Sequence, residues 1–141
     1  MRRQLGDGYE LDDDPARIDL RAVHRFLSED SYWARGRPYE TQERLVREAT
    51  RVVGLYRDGE QVGFCRAVSD RASITYLADV YVLPAHRGRG LGLELVREMV
   101  DRGQLAGERW ILHTDDAHEL YRKLGFGTPG PTAMERPRPE T

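Results

Sequence analysis

Seven residues, HRGRGLG from His86 to Gly92, place three glycines and two arginines between an apolar run, YLADVYVLP, and an amphipathic one, LELVREMV. A strand that runs into a glycine-rich turn and then a helix start is a setting for an anion. The first N–H groups of a helix lack internal partners, and the helix dipole favours negative charge there. Glycine at Gly88, Gly90 and Gly92 lets a phosphate approach the backbone around Leu91, and Arg87 and Arg89 add forked, charge-assisted donors. The competing reading is a plain turn with solvent-exposed arginines. Two common phosphate loops do not fit. A P-loop needs Lys-Ser or Lys-Thr after its last glycine, where this chain has Leu93-Glu94. The dinucleotide fingerprint is G-x-G-x-x-G, and here the order is G-x-G-x-G.

Asp79 is the one carboxylate in the apolar run 74–84. A buried, unpaired carboxylate is costly, so it needs a partner or a task. Cys65 lies in another apolar stretch and reads as a buried, inert thiol rather than a nucleophile. No His, Cys or Asp cluster has metal-ligand spacing, so no metal is expected.

The elements that must position these groups can be read from periodicity and turn residues. GYELD, 8–12, reads as a first strand. DDDP offers a helix start, followed by one apolar face at Leu20, Val23, Phe26 and Leu27. TQERLVREA is a second, short helix. RVVGLYRDGEQVGFCRAV reads as two strands joined at Asp58-Gly59. Residues 74–84 form a long strand, apolar on both faces, that Pro84 ends. After the glycines, Gly92, Leu95, Val96, Met99 and Val100 make an inward helical face; Glu94, Arg97, Glu98, Asp101 and Arg102 take the other, with Glu98 and Arg102 four apart. A strand over 109–114, a helix over 115–125 capped by Asp115 and stopped by Gly125, and a last strand near Thr132 to Arg136 complete the order β-α-α-β-β-β-α-β-α-β. The unit 74–114 is a right-handed parallel crossover, so the class is α/β: a mixed sheet in three layers.

The chain has 141 residues, which suits one domain, with a core over about 8–136 and a tail at 137–141. Charged residues make up 33%, but the net charge is -2, which gives no argument for nucleic acid. No apolar run approaches the roughly 18 residues that cross a membrane, and the basic N-terminus has no apolar segment after it. A cytoplasmic setting is the expectation.

The run V-L-P-A-H-R-G-R-G-L-G, with Arg87, Gly90 and Gly92 as R-x-x-G-x-G, resembles the acetyl-coenzyme A motif of the GCN5-related N-acetyltransferases (GNAT). A second landmark of that family, A-x-x-L-Y-x-x-x-G-F, matches Ala117, Leu120, Tyr121, Gly125 and Phe126, one helix and one strand later. The element order matches too, so the resemblance spans nearly the whole chain. It implies a three-layer acyl-CoA N-acyltransferase fold with helices on both faces of the sheet, and acetyl-CoA as cofactor. The diphosphate would lie on the N–H groups of 88–92 near Arg87. The pantetheine arm would run beside Val80 and Val82, where one backbone N–H would polarise the thioester carbonyl. Thr114 stands where the family often has asparagine, near the pantetheine.

The resemblance implies that Tyr121 is the acid that protonates the departing thiolate; a core tyrosine with a satisfied hydroxyl is the other reading. For Asp79 three roles stay open: a base for the amine, a holder of a cationic amine, or an ion-pair partner of a core-facing arginine such as Arg66. His113 is a second candidate base or a satisfied strand-end histidine. His86 and His118 are expected to face solvent. The acceptor would meet the segment SYWARGRPY, where Tyr32, Trp33 and Tyr39 could form an aromatic wall and Arg35 and Arg37 would suit a carboxylate or phosphate; the alternative is a loop pinned by Trp33 in the core. The expected activity is transfer of acetyl from acetyl-CoA to a primary amine, on a small molecule or a protein, by direct attack. Nucleic acid and membrane are not expected partners, and a homodimer stays open. The alternative function is a non-catalytic acyl-CoA-binding module.

Overall fold

The computed structural model describes residues 1–139, so the last two positions of the expected tail lie outside the described residues. The elements are β1 (Arg2–Gly6), β2 (Tyr9–Asp12), α1 (Leu20–Asp30), α2 (Tyr39–Glu48), β3 (Arg51–Arg57), β4 (Glu60–Ser69), β5 (Thr75–Val82), α3 (Leu91–Asp101), β6 (Trp110–Ile111) and α4 (His118–Arg122). One sheet carries the strands in chain order, β1 to β6. Every pairing is antiparallel except β5 with β6. The core has two parts. Leu11, Val53, Leu55, Cys65 and Leu77 pack against α3 through Leu95, Val96 and Met99. On the other face Val52, Phe64 and Tyr81 pack against α1 and α2 through Val23, Phe26, Leu27 and Val46. The expected three layers are present.

Six expectations change. A strand precedes the expected first one. Asp7 and Gly8 sit at φ +52° and +81°, the left-handed pair a two-residue hairpin needs, and they fold Arg2–Gly6 back on Tyr9–Asp12. That edge strand brings Arg3 to Glu98, Nε to Oε1 at 2.6 Å. Glu98 is therefore buried, with Arg51 at 3.5 Å and Arg102 at 3.6 Å, and not on an outward face. Pro15 opens only a 3-10 turn; α1 begins at Leu20, where the Asp19 side chain accepts from the Ala22 N–H.

The strand expected over 109–114 is reduced to Trp110–Ile111, because β6 pairs with β5 only at Thr75↔Trp110 and Tyr76↔Ile111. Beyond that the two strands part, and 112–114 have no ladder to join. No strand forms at 132–136 either, so β6 has no outer neighbour among the described residues. Asp115 does not cap the last helix. Thr114 Oγ1 accepts from the Ala117 N–H at 3.1 Å instead, and α4 runs only from His118 to Arg122.

Candidate functional site

The site begins with a break in the β4–β5 ladder. Phe64 pairs with Tyr81 and Arg66 with Ala78, so Asp79 and Val80 together face the single residue Cys65. Asp79 takes φ +56°, a left-handed conformation that Asp tolerates better than most residues. The extra residue reverses the alternation of the strand. Before it, Leu77 faces the α3 side; after it, Val80 and Val82 do, while Tyr81 joins the α1–α2 side. The bulge thus turns the Asp79 carboxylate toward the loop between α1 and α2.

Three groups meet that carboxylate. Arg66 Nε donates to Oδ2 at 2.6 Å and Arg37 Nη1 at 2.8 Å, and Trp33 Nε1 donates to Oδ1 at 2.9 Å. The side chain is 1% exposed. Burial on its own would raise the carboxyl; the adjacent Arg66 charge and the hydrogen bonds from both arginines outweigh it and hold Asp79 below the ordinary value. The ion pair with Arg66, one of the readings of the sequence, is present, and Arg37 and Trp33 join it. Arg37 is itself fixed. Its Nη1 also donates to Gln42 Oε1 at 2.9 Å, and its carbonyl lies 2.8 Å from Nε2 of His24.

Around this cluster lies a cleft of about 300 Å3 whose lining includes Tyr32, Trp33, Tyr76, Val80, His113 and Tyr121. It opens where β5 and β6 separate. Trp33 is not a core pin; it is 41% exposed. Tyr32 packs edge-on against Trp33, and its hydroxyl accepts the Asp115 N–H at 2.8 Å, closing the aromatic wall onto the segment before α4. Tyr39 lies apart, edge-on to His24, and Arg35 does not line the cleft.

Tyr121 reaches the cleft from α4, with its ring edge-on to Phe126. It is 8% exposed, and no described residue hydrogen-bonds its hydroxyl. Burial raises the phenol above its ordinary value, so the proton stays on at neutral pH. Its neighbour in the core, Cys65, is fully buried, and burial pushes the thiol up to about 12, which leaves no thiolate for nucleophilic attack.

His113 has a setting that the sequence only half disclosed. Tyr76 Oη lies 2.6 Å from its Nδ1, and Glu135 Oε2 lies 2.6 Å from its Nε2. A carboxylate only accepts, so the neutral imidazole carries its proton on Nε2, and Nδ1 accepts from the Tyr76 hydroxyl. Tyr76 and Glu135 escaped the sequence reading: Tyr76 looked like one more aromatic in a strand, and Glu135 lay in an expected strand that does not form.

The glycine turn lies beyond the cleft, after Val82. Gly90 caps α3 at φ +76°, Gly88 has φ +80°, and a Cβ at either would meet nothing within 4 Å. The turn is therefore open, and its conformation, not crowding, calls for glycine. The N–H groups of Leu91, Gly92 and Leu93 open the helix without a side-chain cap. Arg87 Nε donates to the Val82 carbonyl at 2.8 Å, which ties the turn to the end of β5. Gly92 serves packing: a Cβ there would lie 3.2 Å from Leu120 of α4. Arg89 is exposed. His86 is not a solvent residue; its Nδ1 is 2.7 Å from the Tyr9 hydroxyl. A strand edge without a neighbour, an open amide cradle and a partnerless phenol between them fit a ligand with a phosphate end and an extended, strand-like arm. They suit acyl transfer from such a ligand to a nucleophile held on the α1–α2 side.

Comparison with known proteins agrees. The acetyltransferase (GNAT) family model matches residues 20–126. A crystal structure from Xanthomonas campestris pv. campestris, assigned to GNAT acetyltransferases, is 38% identical, with TM-score 0.86 over 93% of this chain and 94% of that one. A Gibberella zeae protein whose acetyltransferase activity is itself inferred is 30% identical, over 84% of this chain and 78% of its own length. A streptothricin acetyltransferase of Streptomyces lavendulae is 38% identical over 52% of this chain, which spans only 42% of that protein. A Brucella melitensis GNAT structure in complex with acetyl-CoA shares the fold at TM-score 0.66 and 23% identity, over 85% of this chain and 83% of that one.

Proposed function

The chain belongs to the GNAT family of acetyltransferases, and from that premise we propose that it acetylates the primary amine of an acceptor, with acetyl-CoA as donor and by direct attack. One observation carries the reading: the partnerless Tyr121 hydroxyl sits in the cleft where β5 and β6 part, between the α3 amide cradle and the Asp79 cluster. When bound, acetyl-CoA would supply the acetyl group as a thioester and depart as a thiol.

Residues 88–92, with Arg87 and Arg89, hold the phosphates. The free edge of β5 at Val80 and Val82 receives the arm, and the interrupted ladder at Asp79–Val80 supplies an N–H toward the acyl oxygen. Thr114 is committed to its cap on Ala117 and contributes by fixing the start of α4. Tyr121 holds the proton that the sulfur needs. Tyr32 and Trp33 form one wall for the acceptor. Asp79 is the anchor of Arg66, Arg37 and Trp33: it already accepts three hydrogen bonds and its proton affinity is depressed, so it positions the acceptor side and does not take a proton. The amine proton passes to Tyr76, whose hydroxyl leans on His113 and Glu135 as described. Burial of Cys65 supports direct attack without an acyl-enzyme.

The test is calorimetric titration with acetyl-CoA, followed by thiol release in an amine library. Binding with turnover of a cognate amine supports the reading. Tight binding without turnover of any amine would instead identify an acyl-CoA-binding module.

A further inference from the structure

The charges that line the cleft are unevenly satisfied. Asp79 uses Oδ2 for both Arg66 and Arg37 and Oδ1 for Trp33. Two guanidinium groups share one carboxylate, which leaves an excess of positive charge on side chains only 11% and 16% exposed. Of the five N–H donors of a guanidinium, Arg66 uses Nε–H alone, and neither of its Nη groups has a protein partner among the described residues. Charged donors that open onto a narrow cleft in this way gain from an anion. A cationic group gains little beside Asp79, which already accepts three hydrogen bonds, two of them from guanidinium groups. Asp116 also lines the cleft, exposed in the segment that leads into Tyr121, and makes no ion pair among the described residues. The cleft therefore has a positive end at Arg66 and a negative end toward Tyr121.

We infer that the acceptor carries a carboxylate as well as its amine. The carboxylate takes the Nη groups of Arg66, with Arg37 alongside, and the ammonium end is drawn to Asp116 and so toward Tyr121. Tyr32, Trp33 and Tyr76 flank the carbon chain between. The acceptor class is a small amino-carboxylate and not a polyamine or an aminoglycoside. This rests on the acetyl-transfer reading and adds the substrate class to it.

The test is thiol release from acetyl-CoA with matched probes: glycine, β-alanine, γ-aminobutyrate and the common L-amino acids, each against its carboxamide and its decarboxylated amine, with spermidine and kanamycin as polycations. At least one amino-carboxylate is expected to exceed both counterparts in kcat/KM by about tenfold or more, the scale of a charge-assisted hydrogen bond. Arg66→Gln is expected to bring that ratio to within about twofold of one. Arg66→Lys keeps a cation beside Asp79 if Arg66→Gln fails to fold, and retains only part of the preference because it lacks the fork. A wild-type protein that acetylates the carboxamides, decarboxylated amines or polycations equally well or better overturns the inference and leaves acetyl transfer standing. So does rejection of every amino-carboxylate by a protein that binds acetyl-CoA. Failure to bind acetyl-CoA would remove the transfer reading and this inference with it.

Discussion

Arg66 and Asp79 lie on neighbouring strands and meet at 2.6 Å across the bulge that turns Asp79 out of the alternation of β5. The pair joins the sheet to the α1–α2 loop through Trp33 and Arg37, so this wall of the cleft is built on a buried charge network and not on a free loop.

Asp79→Asn leaves two guanidinium groups without their carboxylate. Loss of one partner of a buried pair costs about 3–5 kcal/mol, and urea unfolding at neutral pH is expected to show a drop of that order. The pH dependence has a definite sign. The folded-state value of Asp79 is depressed, so its contribution is complete above the unfolded value, near 4, and is lost as pH falls through the lower folded value. The stability gap between wild type and Asp79→Asn should therefore narrow from pH 6 toward pH 2. A gap constant down to pH 2 would show that the carboxylate is not held by its arginines.

Tyr121→Phe removes one oxygen from a ring that is otherwise packed. Acetyl-CoA affinity by calorimetry is expected to change by less than about twofold, while kcat for a cognate amine falls by about a hundredfold, the usual range for a lost general acid. Unchanged kcat would rule out the acid role.

Gly90 separates space from conformation. A Cβ there meets nothing, but φ is +76°. Asparagine adopts that region at modest cost, so Gly90→Asn is expected to fold and to bind acetyl-CoA within a few fold of wild type. Gly90→Glu adds a carboxylate where the helix N–H groups would receive phosphate, and more than about a tenfold loss of affinity is expected. Equal binding by the two variants would place the diphosphate elsewhere.

The parts of the fold that follow from local chemistry were legible. Asp58-Gly59 announced its hairpin, and the apolar spacing of Leu95, Val96, Met99 and Val100 announced the inner face of α3. The same turn signal at Asp7-Gly8 was present but overlooked, which hid β1 and, with it, the reason Glu98 is buried. The open glycine turn and the cleft-facing Tyr121 were readable because spacing along one segment defines them. The Asp79 side of the cleft was not. Trp33 and Arg37 meet Asp79 from 46 and 42 residues away, and a bulge that reverses strand parity leaves no trace in an alternation already apolar on both faces. Glu135 and His113 meet through side chains of a segment without regular structure, which no periodicity reports.

That last contact gives a separable test of the proton path. If the amine proton leaves through Tyr76, His113 and Glu135, the relay matters most near neutral pH, where an amine in solution is almost wholly protonated, and less as pH rises. His113→Gln keeps a polar side chain at the rim but cannot accept and pass a proton. It is expected to lower kcat/KM by about tenfold to a hundredfold near neutral pH, with recovery as pH rises and the free amine becomes abundant in solution. Glu135→Gln is expected to give a smaller loss in the same direction, because it removes the charge that stabilises the imidazolium and leaves the ring in place. Neither residue touches the cradle or the Asp79 cluster, so acetyl-CoA affinity and the urea midpoint should hold. The three effects together mark a relay: a loss near neutral pH, partial rescue at high pH, and intact binding. A uniform drop in kcat/KM at every pH, or a shift in KM alone, would show that His113 only shapes the acceptor pocket.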